Sequence, residues 1–238
     1  MAKKQETALV KFPNLKDFAV VNVPPKMAAL LAENTGGRKL TAFDLDRIKF
    51  PSGGGLAWEV PTMEGEPDIN REIAAIIIAK RRGRVYYDAP FDGQSNPPTC
   101  FSEDGITGIG EPGGQCAVCP LNEFGSDSGG GKACSEREVL FLLRRQDAIP
   151  IVLSVPSTSL RGLNKYFLRL TSHGRPFWRV ESTIGLENTK NKSGIEFSRL
   201  KITTGAILTP DEVARVGEIA IQMREIFTST PIATPANA

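Results

Sequence analysis

From residue 73 onward, apolar and polar positions along this 238-residue chain fall into alternating and helical periods. IAAIIIAKRRGRVYYDAP, which starts at Ile73, opens on a long apolar run and ends near two tyrosines. It predicts one long strand with a bend near Arg82-Gly83. EVLFLLRR (138–145) and PIVLSV (150–155) flank the polar Gln146-Asp147 and predict a strand pair. In PSTSLRGLNKYFLRLTSHG, Leu160, Leu163, Phe167 and Leu170 recur at helical spacing, with Ser157 as cap and Gly174 as stop. Arg161, Lys165 and Arg169 fall on the opposite face, which reads as solvated. FWRVESTIGLE (177–187) and GIEFSRLKIT (194–203), joined by NTKNKS, predict two further strands. Ile195, Phe197, Leu200 and Ile202 of the second break register once, which predicts a bulge. Thr209-Pro210-Asp211-Glu212 is a capping box with proline at the first helical position. The stripe Val213, Val216, Ala220, Met223 and Phe227 then predicts a helix packed on the strands.

The order strand, strand, strand, helix, strand, strand is that of an OB-fold. The expected class is therefore mainly β with α: an OB-fold-like five-stranded barrel carrying a Cys-rich insertion between its first two strands and a C-terminal helix. Residues 71–227 form this domain, with the insertion at 96–135 and the helix at 209–227. FAVVNV (18–23), LTAFDLDRIKF (40–50) and the segment around Trp58 read as strands, with a short helix near 26–33. Residues 17–70 are thus an appended part packed on the barrel, residues 1–16 a flexible arm, and 228–238 a disordered tail.

All four cysteines lie within the insertion, spaced Cys100-x15-Cys116-x2-Cys119-x14-Cys134. A C-x2-C pair can place two thiolates on one tetrahedral ion, and cysteines before and after it complete the set. Segment 96–132 is too rich in Gly, Pro and Ser to build a core of its own. One structural zinc is the preferred reading; an iron–sulfur cluster and free or redox-active thiols are the alternatives. A closed four-thiolate site has no open position, which argues against metal catalysis.

Composition adds limits. A net charge of +2 demands no attraction to nucleic acid, so local clustering must supply it. No 18-residue apolar run is present, and the start MAKKQETALVKF lacks the apolar stretch of a signal peptide. The expectation is a cytoplasmic protein without a membrane partner. A lone His173 in a helix-exit turn reads as a surface residue, and no catalytic constellation emerges. Ser52-Gly53-Gly54-Gly55 and Gly129-Gly130-Gly131-Lys132 miss the G-K-[ST] of a phosphate loop.

Single-strand binding needs a basic groove and aromatic faces for stacking. KRRGRVYY (80–87), GRPFWR (174–179) and RIKF (47–50) interleave the two. The candidate contacts are Lys80, Arg81, Arg82, Arg84, Arg175 and Arg179 for phosphates and Tyr86, Tyr87, Phe177 and Trp178 for bases. Lys190 and Lys192 would join them from the loop between the last two strands. A core role is the competing reading for each aromatic.

PPTCFSEDG, CxxCPLNEFGSDSGGGKAC and PSTSLRGL together resemble a group of phage and prophage proteins regarded as single-stranded DNA-binding or replication-associated. The resemblance runs from about Arg38 to Phe227 and implies a zinc-stabilised OB-fold protein that coats single-stranded DNA. It carries Cys100, Cys116, Cys119 and Cys134 over as the metal ligands. The expected function is non-enzymatic single-strand binding in phage replication or recombination, within the host cytoplasm. Other replication or recombination proteins and self-association along DNA are the further partners. A zinc-stabilised protein-interaction module is the alternative, and a magnesium-dependent nuclease a remote third.

Overall fold

A computed structural model describes residues 33–38, 44–51, 53–89, 97–145, 147, 149–191 and 194–228. The protein is mainly β, with helices on both faces of one mixed sheet. Its strands are β1 (Arg47–Ile48), β2 (Trp58–Val60), β3 (Asp68–Asn70), β4 (Glu72–Tyr86), β5 (Cys100–Ser102), β6 (Thr107–Gly110), β7 (Gly114–Gln115), β8 (Ser135–Leu143), β9 (Ile151–Val155), β10 (Val180–Lys190) and β11 (Glu196–Ile207). Among the described residues two long helices accompany them, α1 (Ser157–Ser172) and α2 (Pro210–Thr228).

The central strand is β4, as the apolar run at 73–79 requires. Its residues 75–79 are all buried, on both faces of the sheet. Ile73, Ala75 and Ile77 enter one cluster with Leu163, Tyr166 and Leu170 of α1, while Ile76, Ile78 and Ala79 enter another with Val216, Ile219 and Ala220 of α2. A continuous apolar run is the signature of a strand covered on both sides. The predicted long strand is present as β4, and its register with β8 shifts between Ile77 and Ala79. Gly83 instead marks a close approach: a Cβ there would meet the Ser102 carbonyl oxygen of β5 at 2.9 Å.

β4 pairs antiparallel with β8 over Ile76–Val85 and with β10 over Glu72–Ile76; β8 pairs with β9, and β10 with β11. Together these pairings make one mixed sheet. The barrel, however, is not closed: no pairing joins β9 to β11 among the described residues. The free edge of β9 is taken by β1 in parallel, Arg47 against Val152 and Ile48 against Leu153. The free edge of β11 is met by the start of α1 and by a loop. Ser159 Oγ accepts from the Leu200 amide at 3.0 Å, and Ser198 Oγ donates to the Gly55 carbonyl at 2.7 Å.

Ser198 also explains the register break seen in sequence. β11 runs against β10 without a bulge from Lys190↔Glu196 to Ser182↔Thr204, and its inward positions are Ser198, Leu200 and Ile202, so Phe197 points the other way. The one shift in this pair lies between Val180 and Ser182. Helix α1 starts at Ser157 itself, the expected cap, with Pro156 at the N-cap. It ends at Gly174 (φ +64°), where the Arg175 amide donates to the Leu170 carbonyl and the Gly174 amide to the Thr171 carbonyl. That pair of bonds is a Schellman stop, and its left-handed residue favours glycine. At α2 the capping box is formed: the Thr209 amide donates to Glu212 Oε2 at 2.7 Å, and the Glu212 amide faces Thr209 Oγ1 at 3.4 Å.

The described residues of the appended N-terminal part pack into the main interior. Trp58 and Val60 are fully buried in the α1-side cluster, and Trp58 Nε1 donates to the Ile184 carbonyl at 3.1 Å. The predicted strand at 18–23, nearly all of the predicted helix, the arm at 1–16 and residues 229–238 of the tail lie outside the described residues. Among the described residues no helix is long and apolar enough to cross a membrane.

Candidate nucleic-acid interface beside a cysteine cluster

The insertion between β4 and β8 adds strands to the end of β4. Tyr86 pairs with Cys100 and Arg84 with Ser102, then β6 pairs with β5 and β7 with β6. Short 3-10 turns at Cys116–Val118 and Pro120–Asn122 carry the C-x2-C pair. Backbone bonds tie the cysteine positions together: the Cys116 amide donates to the Ile106 carbonyl and the Cys134 amide to the Leu121 carbonyl, each at 2.8 Å. Asn122 Nδ2 donates to the Cys116 carbonyl at 2.8 Å. Its Oδ1 accepts from Arg84 and from Lys132. Within 97–134 the only buried residues are Ser102, Cys116 and Cys134. The thiols are therefore most of what core this extension has.

Cys100, Cys116, Cys119 and Cys134 line one cavity of about 10 Å³, together with Arg84 and Asn122. That is room for one water-sized particle, not for an organic ligand. Its donor set is soft sulfur only, which suits zinc or another thiophilic ion. The Arg84 guanidinium beside it would offset the negative charge of four thiolates on a divalent ion. Burial pushes the Cys134 thiol pKa up; the charge and hydrogen bond of Arg84 oppose this, and Cys116 and Cys119 reinforce it. Among the described residues no three His, Cys, Asp or Glu side chains are grouped closely enough to form a metal site as they stand. The four cysteines nonetheless share one cavity, and its chemistry fits a metal.

A second, larger depression adjoins the first and shares Arg84, Phe101 and Ser102 with it. It measures about 310 Å³ and lies on the α2-side face of the sheet, where β4, β8 and β9 run out from under α2. Arg47 and Arg137 line it against the single carboxylate of Glu103, with Tyr87 and Phe101 supplying aromatic surface; Arg84 also borders it, with its guanidinium turned to Glu136 and Asn122. Tyr87 is 44% exposed.

Of the residues singled out in sequence, the fold brings Arg84 and Tyr87 to this groove. Most of the basic run, Arg84 included, is neutralised from β8 and from Glu103 just after β5. Lys80 pairs with Glu138 at 2.6 Å, Arg81 with Glu103 at 2.5 Å and Arg84 with Glu136 at 3.0 Å. Arg82 is exposed, and Tyr86 is half-buried. Phe177, Trp178 and Arg179 form a 3-10 turn instead of the start of a strand, so strand alternation does not assign their faces. Phe177 packs on Phe167 with ring centroids 5.8 Å apart, Trp178 lies against α2 at Gly217, and Arg179 stacks over Trp178 at 5.5 Å. Arg175 is half-buried where the chain leaves α1. Lys190 pairs with Glu196 at 3.1 Å, and Lys192 lies outside the described residues. His173 is exposed at the helix exit, its Nδ1 2.8 Å from the Arg169 carbonyl.

Sequence reasoning did not single out Phe101 or Arg137, and noted Arg47 only as part of RIKF. Arg137 had a signal. In SEREV the charges alternate, so Glu136 and Glu138 share one face and Arg137 takes the other. Comparison with protein-family models, curated proteins and solved structures finds no match to this chain.

Proposed function

We propose that this protein binds single-stranded DNA with little sequence preference, in phage replication or recombination, and that its groove beside the cysteine cluster receives the strand. The observation that carries this reading is the lining of that groove: the arginines Arg47 and Arg137, the one carboxylate of Glu103, and the two aromatic rings of Tyr87 and Phe101. Cationic surface tracks phosphates and aromatic faces accept any base, the combination that sequence-tolerant single-strand binding needs. The pairing of β4, β8, β9, β10 and β11 around α1 further supports an OB-like scaffold, with β1 on the edge of β9 where a closed barrel would place β11. In OB-folds the loop between the first two strands flanks the ligand face, and the cysteine extension occupies that position here. One zinc held by Cys100, Cys116, Cys119 and Cys134 would fix the extension and, through Arg84 and Phe101, the wall it shares with the groove.

The test is a fluorescence-anisotropy titration with labelled oligo-dT against a duplex control at two salt concentrations, with zinc measured on the same sample. Tight single-strand binding that weakens steeply with salt, and about one zinc per chain, is the expected result. Absence of binding at low salt refutes it. A second reading, a docking module for another replication protein, is favoured by the exposed Phe124 (84%), Val118 and Ile106 of the cysteine extension. Zinc without DNA binding would move the function there.

A further inference from the structure

The charges around the groove are not equivalent. Arg47 Nη2 lies 2.6 Å from Glu103 Oε1, and Arg81 Nη2 lies 2.5 Å from Glu103 Oε2, so two guanidiniums share one carboxylate. Arg84 is spoken for by Glu136 and Asn122. Arg137 differs: it lines the groove, and among the described residues it makes no ion pair. Its Nε is buried without a hydrogen-bond partner. Its neighbour on the same groove wall is Tyr87, a neutral phenol at ordinary pH that offers no counter-charge.

A half-buried guanidinium without a counter-ion is costly, because burial strips water from a charge and nothing replaces it. Arg137 cannot shed the cost by deprotonating, since a guanidinium stays charged at any ordinary pH. A glutamine, shorter and neutral, would sit on β8 without that penalty. An unpaired Arg in a cationic groove therefore points to an anion that arrives from outside. A guanidinium fork suits a tetrahedral oxyanion carrying two or more acceptor oxygens. Ser154 of β9, also on the groove wall, adds a hydroxyl donor, and Arg47 adds a second positive charge.

We infer that Arg137, with Arg47 and Ser154, forms an oxyanion subsite that takes one phosphate group of the bound strand. This inference rests on the single-strand reading for the identity of the strand, but the subsite can be tested apart from it. Arg137→Gln removes no bond that the described residues make, so its thermal midpoint should equal or exceed that of the parent chain. Against oligo-dT it should bind about tenfold more weakly, as expected for the loss of one charge-assisted contact. Its log–log salt dependence should be shallower by about 0.7, the share of one phosphate on a single strand. Inorganic pyrophosphate should raise the thermal midpoint of the parent protein and not that of the variant.

Oligo-dT binding with unchanged affinity and salt slope in Arg137→Gln would overturn the subsite and leave the single-strand function standing. No oligo-dT binding by the parent, with a pyrophosphate shift that the variant lacks, would keep the subsite and overturn the DNA reading. Neither binding nor shift would overturn both. If the glutamine variant does not fold, phenylglyoxal labelling of the parent chain decides. Pyrophosphate that shields Arg137 from modification supports the subsite, and equal labelling with and without it refutes it.

Discussion

Two regions of this molecule are held together by different physics. The body around β4, β8, β9, β10 and α1 is an apolar interior: Trp58, Ile77, Leu140, Leu142, Leu153, Leu163 and Ile184 are each fully buried. The extension at 97–134 buries only Ser102 and two cysteines, and its strands are two to four residues long. The first can fold on hydrophobic burial alone. The second has too few apolar contacts and depends on side-chain bonds, on the edge of β4 and, in the function proposed for it, on a metal. Arg84 and Phe101 line both the cysteine cavity and the groove, so the weaker region shapes one wall of the groove while the stronger one carries it.

If that contrast is right, damage to the body is global. Trp58→Ala removes a fully buried ring and its bond to the Ile184 carbonyl. Its expected cost is about 3–5 kcal/mol, in the range for deleting a large core aromatic. Urea unfolding followed by far-UV circular dichroism would measure it. A cost near zero would mean that β2 and β3 are a detachable flap and not part of the interior.

Damage to the cysteines should stay local. Cys116→Ser, or a strong chelator on the parent chain, is expected to drop zinc from about one per chain to near none. Amide protection should be lost across 97–134 and kept at Leu140–Leu143. Single-strand affinity should fall by about tenfold, near 1.4 kcal/mol, because Phe101 and Glu103 lose their fixed position. Global unfolding together with metal loss would show that the two regions are one cooperative unit, and the contrast would fail.

A smaller effect tests the body from the opposite face. Thr209→Ala deletes the hydroxyl of the capping box at the start of α2, for a cost of about 1 kcal/mol. Val216, Ile219 and Ala220 of that helix cover β4, so urea unfolding should register the change. Zinc content and oligo-dT affinity should not move.

The body was far more legible in sequence than the site. The apolar run at 73–79, the period-3.6 stripe of α1 and the capping box at Thr209 each state their structure locally, because burial and capping act over a few residues. KRRGR did not. Its meaning depends on which strand lies beside it, and Glu136 and Glu138 sit more than fifty residues away along the chain. A basic run read alone looks like a phosphate track; paired across strands it becomes a set of internal salt bridges. The same pairing leaves Arg137 on the other face, where it is not compensated. Phe177 and Trp178 misled for a related reason, since their apolar character continues into β10 although Pro176 starts a 3-10 turn. Ser198 is a polar residue at an inward position, and no period-two count could anticipate the loop carbonyls that satisfy it. The cysteines were readable as a group because their shared chemistry, not their neighbours, declares them.

The smallest expected effect separates the extension's own bonds from its metal. Asp104, in the turn between β5 and β6, accepts at Oδ1 from the amides of Ile106 (2.8 Å) and Thr107 (2.9 Å) and from Ser102 Oγ (2.9 Å). Burial by itself would raise its pKa, but these bonds to the charged form outweigh that and hold it below the ordinary carboxylate range. A carboxylate whose folded pKa is depressed contributes stability that is fully present above its unfolded value, about 3.9. That stability is lost as pH falls through the folded pKa. Amide exchange at Ile106 and Thr107 should therefore quicken in acid below about pH 4, and Asp104→Asn should show the faster exchange at neutral pH. Metal would also leave in acid as thiolates take up protons, so the decisive sample is metal-free protein. There the acid response at Ile106 and Thr107 should persist while Leu140–Leu143 stay protected. Its absence would mean that the turn is held by the cysteine cluster and not by Asp104, and that the extension has no stability of its own.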